Sequence, residues 1–243
     1  MKAFLIEYYS IITKLFELMA AITGLICYRK FKNTNVKYFI FFLIYILFVE
    51  NIGNYPVYVE NNESFKWLSI YFEDTVFEEN YWWFQIFWTV ASTLFFLFFF
   101  RKNLNNFYVK QVVKYGMYSY IIVSTLIISL QWEILKNTYF QSIDVISFFI
   151  ILFIVSAYFI QILKSEKVLL FYHHFPFYVA CGILVFSILT TPLTFFEGYF
   201  NTSDWNYIIL KWQVFLFANI FMYSVFSIGL IVCKPEKNSS LEN

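Results

Sequence analysis

Three ionisable side chains interrupt the first apolar stretch of this chain. Phe4 to Tyr28 is long enough to cross a membrane, yet it carries Glu7, Lys14 and Glu17. At about 100° per residue on an α-helix, Glu7, Ser10, Lys14, Glu17 and Ala21 fall within an arc of roughly 80°. The remaining surface is Leu, Ile, Phe, Met and Tyr. A charge in a membrane span costs about 2.5–3.5 kcal/mol on insertion scales, so this stripe must turn towards protein or water. The chemistry available to it is ionic: pairing between helices, or capture of a polar ligand.

Other apolar runs add partners. Glu50 and Asn54 are four apart and share a helix face, with Asn51 beside them. Gln85, Thr89 and Ser92 lie on one side of a third run, and Ser187, Thr190, Thr191 and Thr194 surround Pro192 in a sixth. Lys211 stands about one turn into the last run, with Trp212, Asn219 and Tyr223 on a neighbouring stripe. Counting about 1.5 Å per residue puts Lys14 near the midplane and Glu50 slightly outside it. Glu7, Asn54, Glu133, Glu197 and Lys211 come nearer the outer surface. The expected ligand-binding set is therefore Lys14, Glu17, Glu50, Asn54, Glu7 and Lys211, with Lys14 neutralised by Glu17 or Glu50. A second reading stays open, in which the Lys14, Glu17 and Glu50 group only fixes helix packing. For Glu7, Glu133, Glu197 and Lys211, snorkelling to the interface is the competing reading.

Other chemistry is disfavoured. A lysine in the seventh of seven helices suggests a retinal site, but Lys211 is too near the outer end and position 207 is Tyr. His173 and His174 are adjacent, so on a helix they point about 100° apart and make no metal site alone. The chain has no H-E-x-x-H, G-x-S-x-G or P-loop sequence. We expect no enzyme, no cofactor, no metal and no nucleic-acid partner. Cys27, Cys181 and Cys233 have no paired spacing and read as buried apolar residues.

The elements that position these residues follow from composition. Of 243 residues, 60% are hydrophobic and 14% charged, against about 25% charged in soluble domains. Gly (6) and Pro (4) are scarce, so the long apolar runs read as helices in lipid rather than β-barrel strands. The expectation is an all-α, polytopic bundle of seven transmembrane helices, at about 4–28, 38–55, 81–100, 115–135, 144–163, 176–197 and 207–233. Pro56 is expected to stop the second span. Residues 56–80 form the one long connection, where Ser64 is placed to cap a short interfacial helix bearing Trp67, Leu68, Tyr71, Phe72 and Val76. Trp82, Trp83, Trp132, Trp205 and Trp212 are expected in an interfacial belt.

Charge alternates between the connections. Arg29, Lys30, Lys32 and Lys37 follow the first span, Arg101, Lys102, Lys110 and Lys114 the third, Lys164 and Lys167 the fifth, and Lys234 and Lys237 the seventh. The connections after spans two, four and six instead hold Glu60, Glu63, Glu73, Asp74, Glu78, Glu79, Glu197 and Asp204. The positive-inside rule then places the N-terminus outside and the tail, 234–243, in the cytoplasm. The first run lacks a cleavable-signal pattern, and no effector domain is expected beyond the bundle.

This topology and charge bias resemble the small seven-span proteins of bacterial inner membranes and the seven-helix sensor modules of histidine kinases. The resemblance implies a sensor-like bundle in the bacterial inner membrane. Its outward polar cavity would take a ligand, and its basic inner loops, 29–37 and 101–114, would meet a membrane or cytoplasmic signalling partner. A small transporter or channel, or an accessory subunit of a membrane complex, are the alternatives.

Overall fold

The computed structural model describes residues 2–196 and 205–235. Glu197, Asp204 and Lys237, named above for their loop charges, lie outside them. Seven helices are long and apolar enough to cross a membrane. They are Lys2–Phe31, Val36–Gly53, Tyr81–Asn103, Phe107–Leu130, Gln141–Leu163, Phe175–Phe196 and Trp205–Val232. No strand occurs among the described residues.

Boundaries differ from expectation where a local polar group overrides hydropathy. The fourth span starts at Phe107, ahead of its lysines, because the Asn106 side chain accepts hydrogen bonds from the Tyr108 and Val109 amides. It ends at Leu130, where a 3-10 turn, Trp132–Lys136, takes over. Pro56 follows two residues after Asn54, the C-cap of the second span, and cannot continue that helix. That helix ends at Gly53, and Pro56 sits in the first turn of a new helix, Tyr55–Asn61, where its missing amide costs nothing. A short helix forms at Lys66–Phe72, but Ser64 does not cap it. The Ser64 amide instead donates to Asn62 Oδ1 at 3.0 Å, in an Asx-type turn. Trp67, Ile70 and Tyr71 on this helix are exposed, whereas Phe72 meets Tyr55 edge-on at 5.9 Å.

Six spans form a ring in the order one, two, three, five, six, seven, and the fourth packs outside the third and fifth. Side-chain bonds join the ends. At the basic end, Lys30 Nζ donates to the Leu230 and Ile231 carbonyls at 3.1 and 2.9 Å, placing a cation on the C-terminus of the seventh helix. Asn35 donates to Lys102 O, and Gln161 to Asn103 O. At the acidic end, Tyr55 donates to the Phe77 and Glu79 carbonyls, and Lys136 pairs with Asp74 at 3.1 Å.

Phenylalanine fills the basic half of the ring. Phe39 is fully buried, with the rings of Phe42, Phe95, Phe99, Phe175 and Phe226 at 4.9–6.1 Å between centroids. Lipid tails are as apolar as these side chains, so close packing rather than hydrophobic transfer holds them. Glycine permits that packing between spans six and seven: a Cβ on Gly182 would lie 2.7 Å from Phe226, and one on Gly229 2.8 Å from Tyr178.

Candidate functional site

A cavity of about 280 Å³ opens into the acidic half of the ring. The first helix supplies one wall through Ser10, Lys14 and Glu17, the predicted stripe, together with Tyr9 and Thr13 beside it. Glu50 and Asn54 enter from the second span. Trp88, Phe186, Phe215 and Asn219 enter from the third, sixth and seventh. The structure thus brings together four of the six predicted site residues: Lys14, Glu17, Glu50 and Asn54. Glu7 is exposed and does not reach the cavity. Lys211 also stays off its lining; its Nζ lies 6.0 Å from the centre of the Phe215 ring.

Burial grades down the first helix. Ser10 is exposed at the rim, Lys14 is half-buried, and Glu17 is only 3% exposed. Seven residues of helix separate Ser10 from Glu17, so the cavity is on the order of 10 Å deep and ends near the middle of the bundle. Below Glu17 and Asn219 the Phe39 cluster closes the ring.

The charges do not pair as expected. Among the described residues Lys14 makes no ion pair within 4.0 Å and no hydrogen bond. It acts on Glu17 and Glu50 through space, and the two carboxyl groups act on each other. Half-burial explains the distance: part of the lysine's solvation is retained, so direct contact with one carboxylate is not forced. Asn54 turns back to donate to the Glu50 carbonyl at 2.6 Å, leaving the Glu50 carboxyl group to the cavity. Glu17 Oε2 and the Tyr223 hydroxyl are both buried and face one another, but neither makes a hydrogen bond of good geometry. Buried polar atoms are normally bonded, and unbonded ones are the exceptions that need an explanation.

Trp88 reaches the cavity through an irregular helix. Phe84–Val90 is a π-helical segment, and the Ala91 amide that closes it is shared between the Ile86 and Trp88 carbonyls. In an ordinary α-helix residues three apart share a face. The wider turn splays Gln85 and Trp88, so Trp88 lines the cavity while Gln85 is fully buried towards the fifth span. Gln85 Oε1 accepts from the Phe140 amide at 2.7 Å, and its Nε2 donates to Asp144 Oδ1 at 3.4 Å. Nearby, Tyr120 and Ser147 share a 2.6 Å hydrogen bond, Ser147 donates to Ile143 O, and Ser124 bonds Tyr120 O. This second polar group is internally satisfied and ties spans three, four and five together.

Sequence reasoning missed Tyr9, Thr13, Trp88, Phe186 and Phe215. Tyr9 and Thr13 precede Glu17 by eight and four residues, a helical spacing that could have widened the stripe. The three aromatic positions carry no comparable mark. Two of the five tryptophans expected in a belt also make hydrogen bonds at the acidic end: Trp82 donates to the Tyr55 hydroxyl and Trp83 to Val49 O, each at 2.9 Å. Trp212 stacks on Tyr9, whereas Trp205 is exposed. No group of three or more metal-ligating side chains occurs among the described residues. Compared with protein families, curated proteins and solved structures, the chain matches none.

Proposed function

We propose that this protein is a multi-pass sensor of the bacterial inner membrane: a small ligand enters the cavity from outside, and the basic end passes the bound state to a separate signalling partner. The observation that carries this reading is a polar cavity that ends blind. It penetrates to about mid-bundle and stops at Glu17 and Asn219 above fully buried Phe39. A blind chamber suits binding better than conduction, which requires a path through. The positive-inside rule puts the basic end, with Arg29, Lys32 and Lys102, on the cytoplasmic side, where a partner or anionic lipid would meet it. The first and seventh helices both line the cavity and are joined at the basic end by the Lys30 bonds. A ligand between them has a mechanical route to that end.

A second reading, a small transporter, draws on the π-helical segment and the break at Asn54, both close to the cavity. Transporters place interrupted helices at their binding sites. Reconstitution separates the readings. A sensor changes hydrogen exchange at loops 32–35 and 104–106 when the cavity is filled, and moves no solute across the bilayer. Solute flux dependent on Glu17 and Glu50 would establish transport instead. A stoichiometric membrane partner retained with or without ligand would identify an accessory subunit.

A further inference from the structure

We infer that the cavity is built for a small organic monocation, a primary or quaternary ammonium compound; this deepens the sensor reading and rests on its cavity. One basic and two acidic side chains line it, Lys14 against Glu17 and Glu50. Two carboxyl groups thus share one lysine, so the lining has acid in excess of base. Lys14 contacts neither carboxylate within 4.0 Å, so neither is locked into a direct pair. Glu17 is almost wholly buried, and its Oε2 makes no hydrogen bond of good geometry, even to the neighbouring Tyr223 hydroxyl. A bound monocation supplies the counter-charge that one lysine cannot give to two buried carboxyl groups.

The rest of the lining selects among monocations. Hydroxyl and amide groups from Ser10, Thr13, Asn54 and Asn219 line the cavity, but four aromatic side chains, Tyr9, Trp88, Phe186 and Phe215, line it too, which a bare alkali ion would not need. Indole, phenol and phenyl faces attract a desolvated ammonium through their quadrupoles, Trp most strongly. Carboxyl groups and aromatic rings lining one cavity form the recognition chemistry of an alkylammonium group. Lys14 sets the balance; it offsets one carboxylate, leaving charge for a single cation.

The test is isothermal titration of the purified full chain in lipid nanodiscs with tetramethylammonium chloride and with propylammonium chloride. Sodium chloride at matched ionic strength and sodium acetate are the comparison ligands. The inference expects saturable binding of an organic cation and none of acetate. Glu50→Gln should weaken that binding by about tenfold or more, the usual scale for losing a charge-assisted contact. Lys14→Met should strengthen it by a similar factor, because the repelling charge is gone. This sign is the sharp one: a lysine that anchors an anionic ligand gives the opposite result. Lys14-dependent acetate binding would overturn the cation assignment while leaving the cavity a ligand site. Binding of none of the four salts by a folded, monodisperse preparation would overturn the assignment and remove support from the sensor reading as well. Tetramethylammonium binding unchanged in both Glu50→Gln and Lys14→Met would place it outside the cavity and also overturn the assignment.

Discussion

Replacing Glu17 by Leu separates a binding residue from a packing residue, because the two roles predict opposite signs. If Glu17 held helices together, removing it would lower stability. The structure points the other way. Its side chain is buried at 3% exposure, Oε2 makes no hydrogen bond of good geometry, and Lys14 stands off beyond ion-pairing distance. An unsatisfied buried polar group costs about 1–3 kcal/mol. A similarly sized apolar side chain removes that cost, at a repacking penalty of less than about 1.5 kcal/mol. Removing Glu17 also takes away the carboxyl group facing the buried Tyr223 hydroxyl, which offsets part of that gain. Lys14 retains Glu50 as a neighbouring charge. The net expectation is stabilisation of about 1 kcal/mol, with ligand binding lost, the exchange of stability for function common at binding sites. Reversible unfolding in mixed dodecylmaltoside–SDS micelles measures it, with Glu17→Gln as the polar, uncharged control. A loss of more than about 1 kcal/mol in Glu17→Leu would make Glu17 a packing residue and refute the reasoning, on the scale of measured interhelical hydrogen bonds.

Other perturbations address the scaffold. Gln85→Leu should cost about 1–3 kcal/mol in the same unfolding assay, because it strands the buried Phe140 amide; Gln85→Glu, which keeps the acceptor beside Asp144, gives a further comparison. Gly53→Ala should destabilise by about 1–3 kcal/mol, since its Cβ would lie 2.6 Å from the Phe84 ring; an unchanged midpoint would show that the contact yields freely. Phe39→Ala should cost roughly 2–4 kcal/mol, below or within the soluble-core range because lipid offers no transfer term, and should make the bundle leaky in a proteoliposome dye-release assay. Asp74→Asn should change stability by less than about 1 kcal/mol, because the Lys136–Asp74 pair has an exposed carboxylate.

How far the sequence could be read depended on what constrained it. Bilayer thickness fixes span length, and insertion energetics fix where charge can sit, so seven helices and the charged stripe were legible. The stripe's direction was legible for the same reason: Ser10, Lys14 and Glu17 turn into the ring with Glu50 and Asn54. Boundaries were less so, because they depend on single polar groups such as the Asn106 cap and the Asn62 turn that displaces Ser64. The π-helical segment could not be read. Phe84–Val90 contains no glycine or proline to mark it, and it is held against span two by contacts remote in sequence, including the Tyr45 hydroxyl bond to Phe87 O at 2.7 Å. The place of Trp88 in the cavity lining follows from that segment. A helical wheel also overstated the pairing of Lys14, because angular proximity does not fix the reach of a flexible lysine.

Side-specific cysteine labelling tests the blind, outward-facing cavity most directly. In a background with Cys27, Cys181 and Cys233 replaced, single cysteines are introduced as Ser10→Cys, Asn54→Cys and Asn219→Cys in the lining, and Ser227→Cys and Ala180→Cys below it. A membrane-impermeant thiol reagent is then applied to intact cells or to inside-out vesicles. The account predicts that the three lining positions react only from outside and that positions 180 and 227, both buried, react from neither side. Labelling of Asn219→Cys from the cytoplasmic face, or of position 227 from either face, would contradict it.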